Sequence, residues 1–440
     1  MRTEQNRPDA PSIPVTGHGH RDGDGDGDIV IRGIGVVTAA GCGATDFWAG
    51  LLRAEPAFTR RSLFGPDTAP VVMAIVPDAD LAHGLPRRHT KRVDRFTLLA
   101  TAAVREALAD AGLAAPDAVD PDRIGIVTAN ATGGWSFVEP QLYGLYGEGD
   151  SSAINSYVAT AWFPTAPQGE ISIAFGLGGF SKTVAAERIS GAVALEMAAT
   201  ALTSGRLDVV VVCGVEAPCS ALVHNACRAA GLVSPSGSYR PYDTRADGVV
   251  LGEGAGALVL TRGSGWAGSA ARGGQDRPVY ARIEAIEIGG SLPAAISRVA
   301  AAAAERPTAT TGVHVVGDGR GTAADLDELR ALAAASAASA ADAAPAAPLS
   351  VSAPATVYGD LLGAGFVVKI VTACLTLRHQ VRPPTAVGVR PREVSGIRHV
   401  LDAQRDTAVT RIVVNGTDDH GQGACVALTG LSITDAGAPC

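Results

Sequence analysis

Residues 179–191 read GFSKTVAAERISG, and residues 238–256 read SYRPYDTRADGVVLGEGAG. The first stretch joins a glycine-rich turn, a short β-run from Thr183 to Ala186, and a helix beginning near Ser190. A strand that turns sharply into a helix presents one side chain at the helix N-terminus. There the peptide dipoles favour an anion, and a nucleophile placed there is both exposed and activated.

On both sides of this junction strands alternate with helices. Upstream, IVIRGIGVVTAAG (29–41) is a β-run closed by glycine turns, and 92–112 has apolar residues at helical spacing up to Gly112. RIGIVTA (123–129) reads as a buried strand, 164–175 and 190–204 as helices, and LDVVVVCG (207–214) as a second buried strand. GEGAGALVLT (252–261) closes the first half, and a Gly/Ser-rich linker covers 262–277. The pattern then restarts: strand 279–290, helix 292–305, strand 313–319, a helix from 323 with an Ala-rich run to 347, helix 361–378 and strand 411–416. Strand–helix alternation built twice predicts an α/β fold with parallel-type strands. The expected units are 28–261 and 278–430, flanked by a disordered leader (1–27) and a tail (431–440).

Composition narrows the function. Of 440 residues 47% are hydrophobic and 18% charged, enough for a large core and too apolar for a disordered chain. A net charge of −8 argues against a nucleic-acid partner. No apolar run is read as reaching the ~18 residues of a membrane span, and no apolar export signal opens the chain. Seven scattered cysteines without a CxxC pair read as reduced thiols, hence a cytoplasmic protein. RDGDGDGD (21–28) looks like the start of a calcium loop, but the twelfth position from Asp22 is Gly33, where a bidentate Glu is required. His224, His314, His379 and His420 lack metal-ligand spacing, so neither metal nor cofactor is expected. Cys213 and Cys219 read as buried structural thiols.

The chain resembles the β-ketoacyl-acyl-carrier-protein synthases of the thiolase superfamily over roughly residues 28–430. The resemblance rests on IVIRGIGVVTAAG, RVDRF with REALADAGL, GVEAP at 214–218 and the RPYDTRADG…GEGAG block. It implies a thiolase-like fold, two similar α/β halves in a layered αβαβα body. Members carry a nucleophilic Cys in T-A-C, a His in H-G-T-G-T and a second His in K-S-x-x-G-H. The matching triplet is Ala186-Glu187-Arg188, so Arg188 stands for the Cys. Asp318-Gly319-Arg320-Gly321-Thr322 puts Asp318 at the first His. Ala355-Thr356-Val357-Tyr358-Gly359-Asp360 replaces the Lys with Ala355 and the second His with Asp360.

Claisen condensation needs a thiolate to hold the acyl chain and donors for the developing oxyanion or enolate. Arginine has no usable nucleophile, and an ionised aspartate repels an enolate. Loss of all three points to a non-condensing subunit. The pattern resembles one subgroup, the chain-length factors (ketosynthase β subunits) of type II polyketide synthases. Members usually have Gln at the Cys position in A/S-E/D-Q-A-G-G; this chain reads AERISG. A priming role proposed for that Gln therefore does not transfer. Gly317-Asp318, the Asp325-Leu326-Asp327-Glu328 run and AWFPTAPQGEISI (161–173) also look like the subgroup. The loop that follows Gly289-Gly290 in active synthases is missing, and the C-terminal gate is replaced by Asn415-Gly416-Thr417-Asp418-Asp419-His420-Gly421.

The resemblance implies a heterodimer with a ketosynthase α subunit, elongating malonyl-derived units on an acyl carrier protein, with this chain forming part of the product tunnel. Glu187, Arg188, Asp318 and Asp360 are expected to meet in one vestigial pocket, with Arg188 paired to Asp318 or Asp360. The basic run PRRHTKRVDR (86–95) is either a solvated face or a steering surface for the acidic carrier or the partner. Trp135, Val138 and Leu142 form one stripe if the segment after Gly133-Gly134 is helical, and are candidates for setting product length or for plain core packing. Two other functions stay open: a self-sufficient acyltransferase or malonyl-carrier decarboxylase using Arg188 and Glu187, and a scaffold that only binds carrier protein.

Overall fold

The computed structural model describes residues 27–65, 68–78, 92–113, 119–263, 279–304, 312–339, 348–405 and 407–430. Most of the expected leader, the core of the linker, the tail and residues 86–91 of the basic run lie outside the described residues.

The first half runs β1 (Ile29–Thr38), β2 (Gly41–Cys42), α1 (Ala44–Arg53), β3 (Thr59–Arg61), β4 (Val71–Met73), α2 (Arg95–Asp110) and β5 (Ile124–Ala129). It continues with α3 (Trp135–Gly147), α4 (Val158–Trp162), α5 (Ala166–Phe175), β6 (Ser181–Val184), α6 (Ser190–Thr203), β7 (Val209–Glu216), α7 (Ala221–Ala229) and β8 (Gly254–Arg262). The second half has β9 (Ala281–Ile288), α8 (Leu292–Ala304), β10 (Val313–Val316), α9 (Ala324–Ser339) and β11 (Leu349–Ser352). It ends with α10 (Ala355–Tyr358), α11 (Gly365–His379), β12 (Ile397–His399), β13 (Arg411–Thr417) and β14 (Gly423–Thr429).

Both halves use one strand order. The first reads β1-β8-β7-β5-β6 across the sheet, the second β9-β14-β13-β10-β11, with β12 added at its edge. The pairings repeat as well: β1–β8 and β8–β7 are antiparallel, as are β9–β14 and β14–β13. The next two pairs in each half are parallel. A short antiparallel ladder, Ile29–Ile31 against Ala281–Ile283, welds the halves edge to edge.

The expected parallel-type strands are found at β7–β5–β6 and β13–β10–β11–β12, while the other pairs are antiparallel, so the sheet is mixed. The sequence does not tell the two apart, because β7, β8 and β14 are buried on both faces. A doubly buried strand reads as an unbroken apolar run whichever way its neighbour points.

Helices fill three layers. On the outer side of the first half-sheet, α2 and α5 cover it through Leu99, Val104 and Ile171 against Ile126, Val211 and Val259. On the outer side of the second, α8 and α9 supply Ile296, Val299 and Leu329. Between the half-sheets lie α6 and α11, in one cluster with residues of both. Twelve of the fifteen residues of α11 are buried. A helix apolar all round belongs in a core of this kind. Leu362–His379 does have the length and apolarity of a membrane span, which the sequence reading denied of every segment, but 83% of it is buried inside the protein.

Local chemistry sets the boundaries. Asp94 caps α2 by accepting from the Phe96 N–H at 2.9 Å, and Gly112 follows its end at φ +81°. On β1, Gly35 has no room for a side chain: a Cβ would collide with the Ala103 carbonyl and sit 2.9 Å from the Ala107 nitrogen. That vacancy lets α2 lie directly on the strand.

Candidate functional site

The junction singled out in the sequence is a sharp turn. β6 ends at Val184, two residues before the expected limit, because Ala186 already belongs to the turn and gives its N–H to Ser190 Oγ at 2.8 Å. A single 3₁₀ turn, Glu187–Ile189, leads into α6. Glu187 sits at φ +50°, a left-handed conformation that a non-glycine residue adopts only when its surroundings impose it. The side chain delivered into the protein is that of Arg188, 8% exposed.

Arg188, Asp318 and Asp360 meet around one cavity, with Ala355, Tyr239, Tyr358, Phe366 and Lys369 in its wall. Arg188 Nη1 donates to Asp360 Oδ2, and its Nε lies 3.4 Å from Asp419. Asp360 is also held by the Leu362 N–H at 2.8 Å. Asp419 in turn pairs with Arg320. Asp318 does not reach Arg188. It takes Lys369 Nζ at 3.1 Å and the Thr417 hydroxyl, and Lys369 also donates to the Asn415 carbonyl at 3.0 Å. Of the two partners considered for Arg188, the structure realises Asp360.

Glu187 is not in the cavity. It turns outward, accepts the Asp419 N–H at 2.8 Å and sits 3.2 Å from His420 Nε2. The 415–421 segment is thereby stitched to the mouth of the site, with Arg320 donating to the Asp418 carbonyl at 2.6 Å.

Burial pulls the Arg188 guanidinium down from its ordinary value, the neighbouring Arg320 adds to this, and Asp419 opposes it. An arginine starts so high that it stays cationic. Beside Asp318, burial raises Glu328, and it lifts Asp325 to about 7. The cavity enclosed by Arg188, Asp318 and Asp360 is about 20 Å³, room for roughly one water, and a second cavity of about 270 Å³ opens on the other side of Asp318, lined by Arg320, Asp325, Glu328 and Asp418.

Cys213, Cys219 and Cys227 do not offer a substitute nucleophile. Burial lifts Cys213 to about 12 and Cys227 to about 11, while Cys219 is raised by burial and by Glu253, to which its Sγ donates at 3.1 Å. His314 lies between Ser350 (3.0 Å) and Ser352 (3.1 Å), driven to about 3 by burial, and His379 stacks on Trp48. Among the described residues no group of three or more metal-binding side chains gathers.

Lys369 is the site residue that sequence reasoning missed. Where the family lysine is expected the chain has Ala355, and an ammonium from α11 enters the same cavity. A signal existed: Lys369 is one of three lysines in the chain and the lone charge in the apolar run GAGFVVKIVTACLTL.

Trp135, Val138 and Leu142 lie on α3, which is helical as their stripe requires. They do not line the Arg188 cavity. Val138 is buried, the other two are half-buried, and Trp135 packs edge-on against Trp162 with centroids 5.5 Å apart. The turn before α3 rests on Glu216 of the GVEAP motif, which accepts from the Ala131 N–H, the Thr132 N–H at 3.2 Å and the Thr132 hydroxyl at 2.5 Å.

Comparison with known proteins adds the family. The model for the β-ketoacyl synthase N-terminal domain matches residues 26–265, and that for the C-terminal domain matches 288–388. The tetracenomycin polyketide synthase ketoacyl synthase beta subunit of Streptomyces glaucescens is 32% identical over 398 residues, 88% of this chain and 94% of that protein. Two solved structures share the fold. The ishigamide ketosynthase/chain length factor superposes with a TM-score of 0.77 at 22% identity, covering 92% of this chain and 99% of the other. A type II PKS acyl-carrier protein in complex with its ketosynthase, bound to the hexaketide, gives 0.75 at 19%, with the same coverage. With its thiolase-like body and both domain models matched, this chain belongs to the β-ketoacyl synthase family.

Proposed function

We propose that this chain is the non-condensing, chain-length-factor subunit of a type II polyketide synthase. It pairs with a ketosynthase α subunit that carries the Cys-His-His chemistry, and the pair elongates a chain on acyl carrier protein. One observation carries the reading. The three positions where the family keeps its nucleophile and histidines hold Arg188, Asp318 and Asp360, tied into ion pairs around a cavity with room for one water. An acyl thioester finds no nucleophile there, and a developing enolate no donor from Asp318 or Asp360.

A partner face supports the same reading. Among the described residues β6 ends the sheet with one edge unpaired. Helix α5, packed against β6, exposes Ile173, and beyond it α3 and the helices it contacts, α4 and α7, carry or flank Tyr143, Tyr146, Phe163 and Leu222, all between 51% and 82% accessible. Exposed apolar residues beside an open strand edge mark an association surface. The self-sufficient acyltransferase finds no such support, since Arg188 is locked to Asp360 and Glu187 faces away from the cavity.

Within the pair, α3 is the length-setting helix, and Trp135 limits the product. Co-expression tests the assignment. With a ketosynthase α subunit the chain forms an active complex, and Arg188→Ala leaves product formation largely intact. An active homodimer of this chain, or loss of turnover on Arg188→Ala in a folded complex, refutes it. Trp135→Ala in the complex lengthens products by one or more extension units. Loss of the dimer with unchanged products assigns Trp135 to packing.

A further inference from the structure

Helix α3 is poorly rooted by burial of its own residues. Only Val138 and Gly144 of its thirteen residues are buried, and Pro140 inside it removes one backbone donor. Its N-cap is Gly134, which has no side chain to cap with. Gly134 is also pinned: a Cβ there would meet the Ala161 carbonyl and come within 3.0 Å of Asp94 Cβ.

Two carboxylates do the anchoring, Asp94 from the N-terminus of the neighbouring helix α2 and Glu139 from α3 itself. Asp94, 1% exposed, caps α2 with Oδ1 and reaches across to α3 with Oδ2, accepting the Ser136 hydroxyl at 2.6 Å and the Phe137 N–H at 2.7 Å. One buried carboxylate thus closes the N-termini of two helices. Burial lifts Asp94 to about 6, against the pull of its bonds to Ser136, Phe96 and Phe137. At neutral pH it stays ionised, the acceptor-only form that three donors require. Further along α3, Glu139 gives both oxygens to the start of α7, accepting the Ala221 N–H at 2.9 Å and the Leu222 N–H at 2.6 Å.

We propose that Asp94 is a positioning residue for product length: it fixes the start of α3 and with it the place of the Trp135 indole, and Glu139 is the second anchor of the same clamp. Trp135 directly precedes the two residues that Asp94 holds, so slack at the clamp becomes displacement of the indole. The inference rests on the reading of α3 as the length-setting helix, and its test separates the two.

The experiment uses the complex reconstituted with the ketosynthase α subunit, acyl carrier protein and a malonyl donor, with product lengths read as ratios by mass spectrometry. Ratios do not depend on how much complex folds, so a merely structural role leaves them unmoved. Asp94→Asn turns an amide NH₂ toward the Ser136 and Phe137 donors. It raises the share of off-length products about threefold or more, and Glu139→Gln shifts them in the same direction. Hydrogen exchange of the α3 amides in the complex speeds up about tenfold in Asp94→Asn, as expected for losing charge-assisted bonds. Unchanged ratios in both clamp variants, with Trp135→Ala shifting them, overturn the role of Asp94 and leave the length-setting reading standing. Unchanged ratios in Trp135→Ala itself overturn that reading, and unchanged exchange overturns the clamp. Should Asp94→Asn fail to assemble, Glu139→Gln alone decides: unmoved ratios refute the proposal.

Discussion

The Arg188–Asp360 pair lends itself to a double-mutant cycle. Both side chains are less than 10% exposed, at 9% and 7%. Arg188→Met removes the guanidinium and strands the Asp360 carboxylate, a loss of about 3–5 kcal/mol for a broken buried pair. Asp360→Leu strands the guanidinium with only Asp419, 3.4 Å from its Nε, and belongs at the low end of that range. Combined, the two changes put apolar groups of similar bulk into a wall already built from Phe366, Leu361 and Leu362. Exchanging a whole buried pair for apolar residues is often neutral or stabilising, so the double variant is expected within about 1 kcal/mol of the parent. The interaction energy is then about 3 kcal/mol or more. Urea titration followed by far-UV circular dichroism and tryptophan fluorescence measures it, with superimposable curves as the condition for using the free energies. Additive losses, with the double variant the least stable of the four proteins, would refute the view that this pair merely fills a lost active site.

Two further outcomes follow from the same architecture. Glu216 is raised to about 7 by burial, against the bonds from Thr132 and Ala131, so its contribution is complete below its ordinary value of 4.5 and is lost as pH rises through 7. Between pH 4.5 and 8 the stability advantage of the parent over Glu216→Gln should shrink by about 3 kcal/mol, and a pH-independent difference shows that the group does not titrate there. Gly35→Ala should cost about 1–3 kcal/mol by prising α2 off β1, measured by the same titration, and a neutral result shows that α2 moves aside freely.

What the sequence disclosed depended on whether a signal was local. Asp94 and Gly112 bracket α2, so its limits were legible to within a few residues. The convergence of Arg188, Asp318 and Asp360 was legible because each sits in a recognisable stretch. β14 escaped although Gly421 and Gly430 flank it, since its seven residues are small or apolar on both faces, a short run that period alone does not assign to strand or helix, and β11 is only LSVS. Helix α3 could be stated only conditionally, because a glycine N-cap and an internal proline hide it from any local rule. Its anchors are contacts distant in sequence: Asp94 to Ser136, 42 residues apart, and Glu139 to Ala221, 82 residues apart. Lys369 fails for the same reason: it meets Asp318 from 51 residues away.

The ladder that welds the half-sheets sets a schedule for synthesis. β1 leaves the ribosome long before β8 and β9, the strands that pair with it. The side chains of Arg32 and Thr261, hydrogen-bonded at 2.9 Å, are 229 residues apart. At ~5–20 residues per second the nascent β1 waits roughly 10–45 s for its first distant strand partner. During that interval IVIRGIGVV is an apolar strand with two open edges, held only by local contacts with the Gly41–Cys42 turn and whatever α2 covers once it emerges. The emerging polypeptide thus passes through a long aggregation-exposed stage before either half can close, and slowing translation ahead of residue 254 should lengthen it and lower the soluble yield.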